Sequence, residues 1–145
     1  MTKKVRVLIL IIASGLFLLD RILKWLSLHD SAPYLINKWL GWQPFLNTGI
    51  AFGIPVPNIL TVFLSILILG VVFYLIIAGT NRNTVNFFAL ILIFAGALSN
   101  LIDRIWIANT VDYFLTFTSL FNLADVFIVG GFVLYLYQQI FRINK

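Results

Sequence analysis

The sequence predicts an all-α integral membrane protein: four transmembrane helices, with a small structured segment on one face. Two observations carry that expectation. Hydrophobic residues make up 61% of the chain against 10% charged, with a mean hydropathy of +1.03, whereas an ordinary soluble domain carries about 25% charged residues. The apolar residues also fall into four runs, each close to the roughly twenty residues that span a bilayer.

The first run covers residues 5–28 and follows Lys3, Lys4 and Arg6. It exceeds the 7–15 residues of a secretory h-region and lacks a small-residue cleavage site, so it reads as the first span. The others cover residues 57–78, 85–105 and 123–141. Four spans place both termini on one side. Lys3, Lys4, Arg6, Arg82, Arg142 and Lys145 gather there, while opposite them only Lys38 lies clear of a helix end; Arg21, Lys24 and Arg104 adjoin Asp20 and Asp103. That bias makes the termini cytoplasmic. The length suggests one domain, residues 1–145.

Residues 29–56 are too polar and too punctuated to span, with Pro33, Pro44 and Pro55, several glycines, and Tyr34, Trp39, Trp42 and Phe45. Tyr and Trp favour the membrane–water interface. Residues 34–42 are expected to form a short interfacial helix, and residues 43–54 an extended, strand-like piece across the outer face.

Polar residues then sort to one depth. Asp20 ends the first helix, Asn47 lies in the outer segment, and Asn100, Asp103 and Arg104 end the third helix. Asp112 falls in the following loop, and Asn122 and Asp125 open the fourth helix. The chain has five Asp and no Glu, and an ionisable group at membrane depth costs roughly 2.5–3.5 kcal/mol on insertion scales. A pocket open to the outer face accounts for the collection. Plainer roles remain open for its members: an ion pair of Asp20 with Lys24 or Arg21, helix packing at Gly96 and Asn100, snorkelling of Arg104, and a capping box of Asn122 with Asp125, where the positive helix end favours the anion. His29, beside Asp30, reads as a solvated helix end.

The residue inventory narrows the chemistry. Cysteine is absent and there is one histidine, which removes thiol catalysis, thiolate metal sites and a histidine-based zinc site. No metal or organic cofactor is expected. The basic residues are scattered rather than clustered, which argues against nucleic acid. Two aspartates remain: close together they share a proton, so one can activate water while the other protonates a carbonyl oxygen.

Five blocks occur in order: Asp20-x-x-x-Lys24, Asn47-Thr48-Gly49-Ile50-Ala51-Phe52, Gly96-Ala97-x-x-Asn100-x-x-Asp103-Arg104, Val111-Asp112-Tyr113 and Phe121-Asn122-x-Ala124-Asp125. This series resembles the lipoprotein signal peptidase (signal peptidase II) family. The resemblance implies an aspartic endopeptidase of the bacterial cytoplasmic membrane that cuts prolipoproteins just before a diacylglyceryl-modified cysteine. It implies Asp112 and Asp125 as the catalytic pair, with Asp20, Asn47, Asn100, Asp103, Arg104 and Asn122 shaping the pocket and holding substrate or inhibitor. The Asn47-Thr48-Gly49 turn would bring Gly49 and its backbone donors close to an extended substrate. The family fold adds a small extracytoplasmic β-like cradle and an interfacial helix to four membrane helices, and its members are targets of the cyclic peptide globomycin. Partners would be the lipidated substrate, such inhibitors and membrane lipids, with the chain acting as a monomer. Two positions depart from the family pattern: Ser99 stands where Gly usually precedes the Asn, and Arg21 where Gln usually follows the Asp. Both aspartate matches are intact.

Two readings from other classes compete. A proton-relay or transport subunit would also place Asp and Asn in the membrane, but the second helix lacks a mid-span acid and the polar set reaches only one leaflet. A non-catalytic assembly protein would use the same groups as interhelical glue.

Overall fold

A computed structural model of the chain describes residues 1–29, 34–36, 39–50, 54–79, 83–117 and 119–143. Among these residues four long helices and four strands follow in the order α1 (Lys3–His29), β1 (Tyr34–Ile36), β2 (Leu40–Asn47), α2 (Asn58–Ile77), α3 (Thr84–Ile107), β3 (Thr110–Thr116), β4 (Ser119–Phe121) and α4 (Leu123–Ile143). Asn58–Ile77, Thr84–Ile107 and Leu123–Phe141 are long and apolar enough to cross a membrane. At 27 residues α1 is longer, but it carries Lys3, Lys4 and Arg6 at its start and Asp20, Arg21 and Lys24 near its end.

Helix α3 is the axis of the bundle. It packs most extensively on α4, then on α2 and α1, and its inner surface is built from small residues: Ala89, Ala95, Gly96, Ala97 and Ser99 are all buried. Small side chains let helix backbones approach closely where lipid supplies no hydrophobic drive between helices. A Cβ added at Gly96 would lie 2.4 Å from the Ala124 carbonyl oxygen of α4, and one at Gly131 would lie 2.7 Å from that of Ala89. Both glycines therefore set the α3–α4 distance. Since Ala124 precedes Asp125, Gly96→Ala is expected to push the start of α4 aside. Overpacking of this kind costs about 1–3 kcal/mol, so thermal melting should show the loss, accompanied by falling activity. The outer surfaces of α2 and α4 expose Ile59, Phe63, Tyr74, Val129 and Val133, as expected where lipid is the solvent.

At its C-terminal end α3 terminates on Ala108, left-handed at φ 58°, which turns the chain into β3. The strands form one antiparallel sheet in the order β1-β2-β3-β4. Phe45 pairs with Asp112 and Asn47 with Thr110, with a register shift between Trp42 and Phe45. Pro44 sits within that shift; lacking an N–H, it cannot complete the ladder. Facing α1 and α3, β3 is buried from Thr110 to Tyr113.

The sheet corrects three expectations. The described part of the chain is mostly helical with a small antiparallel sheet, which agrees with the β-like cradle implied by the family resemblance but makes the fold not all-α. The interfacial helix expected over residues 34–42 is replaced by strand at Tyr34–Ile36 and from Leu40 onward, because backbone pairing of β1 with β2 and of β2 with β3 outcompetes a short helix that would have had only the interface to lie on. Asp112 sits on a strand rather than in a loop. The extended piece expected from residue 43 is present through Asn47, after which an isolated bridge joins Gly49 to Pro55. Asp30, Pro33, Lys38, Ala51, Phe52, Arg82 and Lys145, all used above, lie outside the described residues.

Candidate active site

Asp112 and Asp125 line one cavity of about 720 Å³ between the sheet, the C-terminal end of α3 and the N-terminal end of α4. Phe45, Ile50, Leu120, Phe121, Ile128 and Val129 supply apolar wall, and Asn47, Asn100, Arg104 and Thr110 supply the remaining polar surface together with Ser119. β3 delivers Asp112, and the first turn of α4 delivers Asp125.

Each carboxylate is held by two donors. Asp112 accepts from Asn47 Nδ2 at 3.0 Å and Asn122 Nδ2 at 2.7 Å. Asp125 accepts from Asn100 Nδ2 at 2.8 Å and from the Asn122 backbone N–H at 3.1 Å. In return Asn122 Oδ1 accepts from the Asp125 N–H at 2.9 Å, which completes the capping box anticipated from the spacing. The box does not compete with a role in the cavity, because one Asn122 side chain both caps α4 and holds Asp112.

The amide orientations are fixed by groups that can only donate. Gly49 N–H donates to Asn47 Oδ1 at 2.9 Å, so the Asn47 amino group faces Asp112. Lys24 Nζ donates to Asn100 Oδ1 at 2.7 Å, so the Asn100 amino group faces Asp125. The Gly49 N–H is thus committed to Asn47 and is not free for an extended substrate. Gly49 acts on the cavity through Asn47.

Asp20 and Asp103 do not line the cavity. Fully buried, Asp20 accepts from Ser99 Oγ at 2.5 Å, Tyr113 Oη at 2.9 Å and the Ala124 N–H at 3.1 Å. Tyr113 Oη also accepts from the Leu123 N–H at 3.0 Å. The first free N–H groups of α4 are therefore capped by residues of α1 and β3, which pins the turn that carries Asp125. Lys24, also buried, bridges Asp20 at 3.2 Å and Asp103 at 2.8 Å. Arg21 pairs with Asp103 as well, and donates to the Ser99 carbonyl oxygen at 3.2 Å. The two positions that depart from the family pattern are thus in contact with each other.

Arg104 does not reach for headgroups. Its Nε donates to Thr110 Oγ1 and its Nη1 to Ser65 Oγ of α2, both at 3.1 Å, which turns the guanidinium toward the cavity. Among the described residues no carboxylate lies within ion-pair distance of it, so its charge acts across the cavity on Asp112 and Asp125. His29 is exposed, stacked on Trp25 and bonded to the Trp25 carbonyl, away from this network. Sequence reasoning gave no part in the site to Lys24, Ser65, Ser99, Thr110 or Tyr113. Lys24 had a signal in its spacing from Asp20, and Tyr113 in its adjacency to Asp112; Ser65 had only its polarity within an apolar helix.

Burial raises the Asp112 carboxyl, and the nearby Asp125 charge raises it further; the Asn47 and Asn122 hydrogen bonds and Lys24 oppose them, leaving it at about 6 against an ordinary 3.8. Burial likewise raises the Tyr113 phenol, so it remains a neutral donor to Asp20.

The paired carboxylates, their oriented amides and the apolar wall form the arrangement on which comparison with known proteins bears. The family model for signal peptidase (SPase) II, peptidase A8, matches residues 12–141. The chain belongs to the signal peptidase II family. Among curated relatives, the lipoprotein signal peptidase of Clostridioides difficile (strain 630) is 36% identical over 132 residues, covering 88% of each chain. That of Caldanaerobacter subterraneus subsp. tengcongensis is 30% identical over 139 residues, covering 92% of this chain and 96% of the relative. A bacterial membrane enzyme solved by the in meso method at 2.3 Å superposes with a TM-score of 0.84 at 25% identity, over 97% of this chain and 90% of the other. A second, at 1.9 Å, gives 0.79 at the same identity, over 96% and 94%. The signal peptidase II fold here is a membrane peptidase of bacterial type: mostly helical, with a small antiparallel sheet over one end of the bundle.

Proposed function

We propose that this chain is an aspartic endopeptidase that removes signal peptides from diacylglyceryl-modified prolipoproteins by cutting just before the lipidated cysteine. The observation that carries the reading is the pair Asp112 and Asp125 in a cavity whose wall is otherwise largely apolar. A signal helix lies in the bilayer with its lipidated end at the outer leaflet, where an apolar wall suits an acyl chain and the pair meets the scissile bond.

Asp125, supported by α4's first turn and Asn100, takes a proton from water as the water oxygen bonds to the scissile carbonyl carbon. Asp112, holding the shared proton, donates it to the carbonyl oxygen. The resulting gem-diol collapses as a proton passes to the amide nitrogen, the C–N bond breaks, and the pair returns to one proton. Arg104 stabilises the negative charge developing in the cavity. Asn47, Asn100 and Asn122 hold the carboxylates in place, and Gly49, Asp20 and Asp103 act behind them. No metal or organic cofactor enters this reaction.

The topology that fits is four spans in one domain, residues 1–145, with α1 as the fourth. Its outer charges, Asp20 and Lys24, are buried and paired, so they do not meet lipid. Both termini are then cytoplasmic and the cavity faces the extracytoplasmic side. Globomycin-type cyclic peptides would compete for the same cavity, and nothing in the reaction requires more than a monomer.

The test is purified protein in lipid vesicles with a diacylglyceryl-modified prolipoprotein and its unmodified form, the products weighed by mass spectrometry. Cleavage of the modified form alone, directly before the lipidated cysteine, is expected; a well-folded protein inert on it would overturn the reading. The pH dependence has a definite sign. Asp112 must be protonated, so kcat/KM, which reports the free enzyme, falls as pH rises through about 6. Substrate that displaces water raises the carboxyl further, so kcat falls at a higher pH than kcat/KM.

A further inference from the structure

The tip where β2 begins and β3 ends carries a feature that the cleavage chemistry does not use. Phe117, just past β3, has φ 53°, a left-handed conformation unfavourable for a bulky residue and natural for Gly or Asn. Its N–H donates to the Trp39 carbonyl oxygen at 2.6 Å, and its ring meets the Trp39 ring edge-on, with centroids 6.0 Å apart. The backbone is thus held in a strained state that projects two paired rings outward, with Phe117 72% and Trp39 57% exposed. The ring pair itself contributes about 0.5–1.5 kcal/mol, while keeping two large apolar rings exposed.

Among the described residues the surface around the tip is mostly apolar, with Ser119 of β4 its exposed polar neighbour. Leu40, Phe45 and Leu46 of β2 are exposed as well, and the only charged residue in the four strands is the buried Asp112. The sheet packs on α1 and α3, whose outer ends expose Trp25, Leu28, Ile105 and Trp106. The apolar surface of the sheet is therefore continuous with that of helices in a membrane protein family. Because the Phe117 N–H is already bonded within the tip, the tip can leave water without orphaning that donor.

We infer that Trp39 and Phe117 are an aromatic anchor that inserts at the boundary between lipid headgroups and acyl chains, fixing the height of the sheet against the bilayer. Aromatic rings concentrate at that boundary. Asn47 and Asp112 lie further along the same two strands, so the anchor sets their depth relative to a membrane-held substrate.

The chain has no cysteine, so a single Phe117→Cys change in the full protein can be spin-labelled at one site. Trp39→Cys provides a second report should the first not fold. Labelled protein in phosphatidylglycerol–phosphatidylcholine vesicles, its folding checked by melting, would be probed with oxygen, which favours lipid, and with a water-soluble nickel complex. A label at Phe73→Cys on the exposed face of α2 marks lipid, and one at Thr2→Cys marks water. The expected result is nickel accessibility several-fold below that at position 2, with oxygen accessibility approaching that at position 73. Nickel accessibility equal to that at position 2 would overturn the anchor. So would shielding from both reagents that disappears when the protein is diluted in lipid, which would indicate a second copy, or shielding that develops only when a signal peptide is added. No turnover is measured, so failure here is distinct from failure of the peptidase reading.

Discussion

Asp112→Asn is expected to abolish cleavage while leaving a folded protein. An amide at this position can neither hold the shared proton nor return it, so the rate should fall by roughly a thousandfold or more, about 4 kcal/mol of barrier. The structural cost is smaller. The new amide would have to turn its amino group toward Asn47 or Asn122, whose own oxygens are engaged by the Gly49 and Asp125 N–H groups. One hydrogen bond is lost, worth about 1 kcal/mol, so melting in detergent should stay near wild type. An Asp112→Asn protein that cuts normally would contradict the aspartate mechanism and leave Asp112 a purely structural part.

Lys24→Met is expected to produce the largest loss of stability among single changes outside the cavity wall. The ammonium is buried and touches Asp20, Asp103 and Asn100. Removing one partner from a buried ion pair costs about 3–5 kcal/mol, because the remaining charges stay out of water uncompensated. A second effect falls on the rate. With Lys24 gone, Asn100 Oδ1 keeps only the longer hydrogen bond from Asn122 Nδ2 at 3.2 Å, so the amide that faces Asp125 is held less firmly and kcat should drop with KM little changed. Adding Asp20→Asn to Lys24→Met should recover part of the stability, since Asp103 keeps Arg21, but not the rate. If Lys24→Met melts and cuts like wild type, the orienting role is wrong.

The helices were legible because lipid imposes a length and a composition that any such run must show. α2, α3 and α4 match the expected spans to within a few residues. Asp112 and Asp125 were legible for the same reason: carboxylates among Phe, Leu and Val require an explanation. The sheet was harder to read. β3 has the Val, Tyr, Phe and Thr that favour strands, but α1 and α3 cover it so fully that the polar–apolar alternation of a half-buried strand is missing. The roles of Asp20 and Asp103 were hidden for another reason. Asp20 caps a helix 104 positions along the chain, and nothing local in the sequence says that the end of α1 meets the start of α4. A separation of 78 positions likewise concealed the contact between Arg21 and Ser99.

The most direct test of the aspartate pair is single-turnover cleavage of a lipidated prolipoprotein in one bilayer composition by wild type, Asp112→Asn, Asp125→Asn and the double variant. Two carboxyls that share one proton and one water act as a unit, and residues acting as a unit are not additive. The prediction is that each single variant is dead by orders of magnitude and that the double variant is no slower than the slower single. Measurable cleavage by either folded single variant at the wild-type rate, or losses that multiply in the double, would contradict a shared-proton pair.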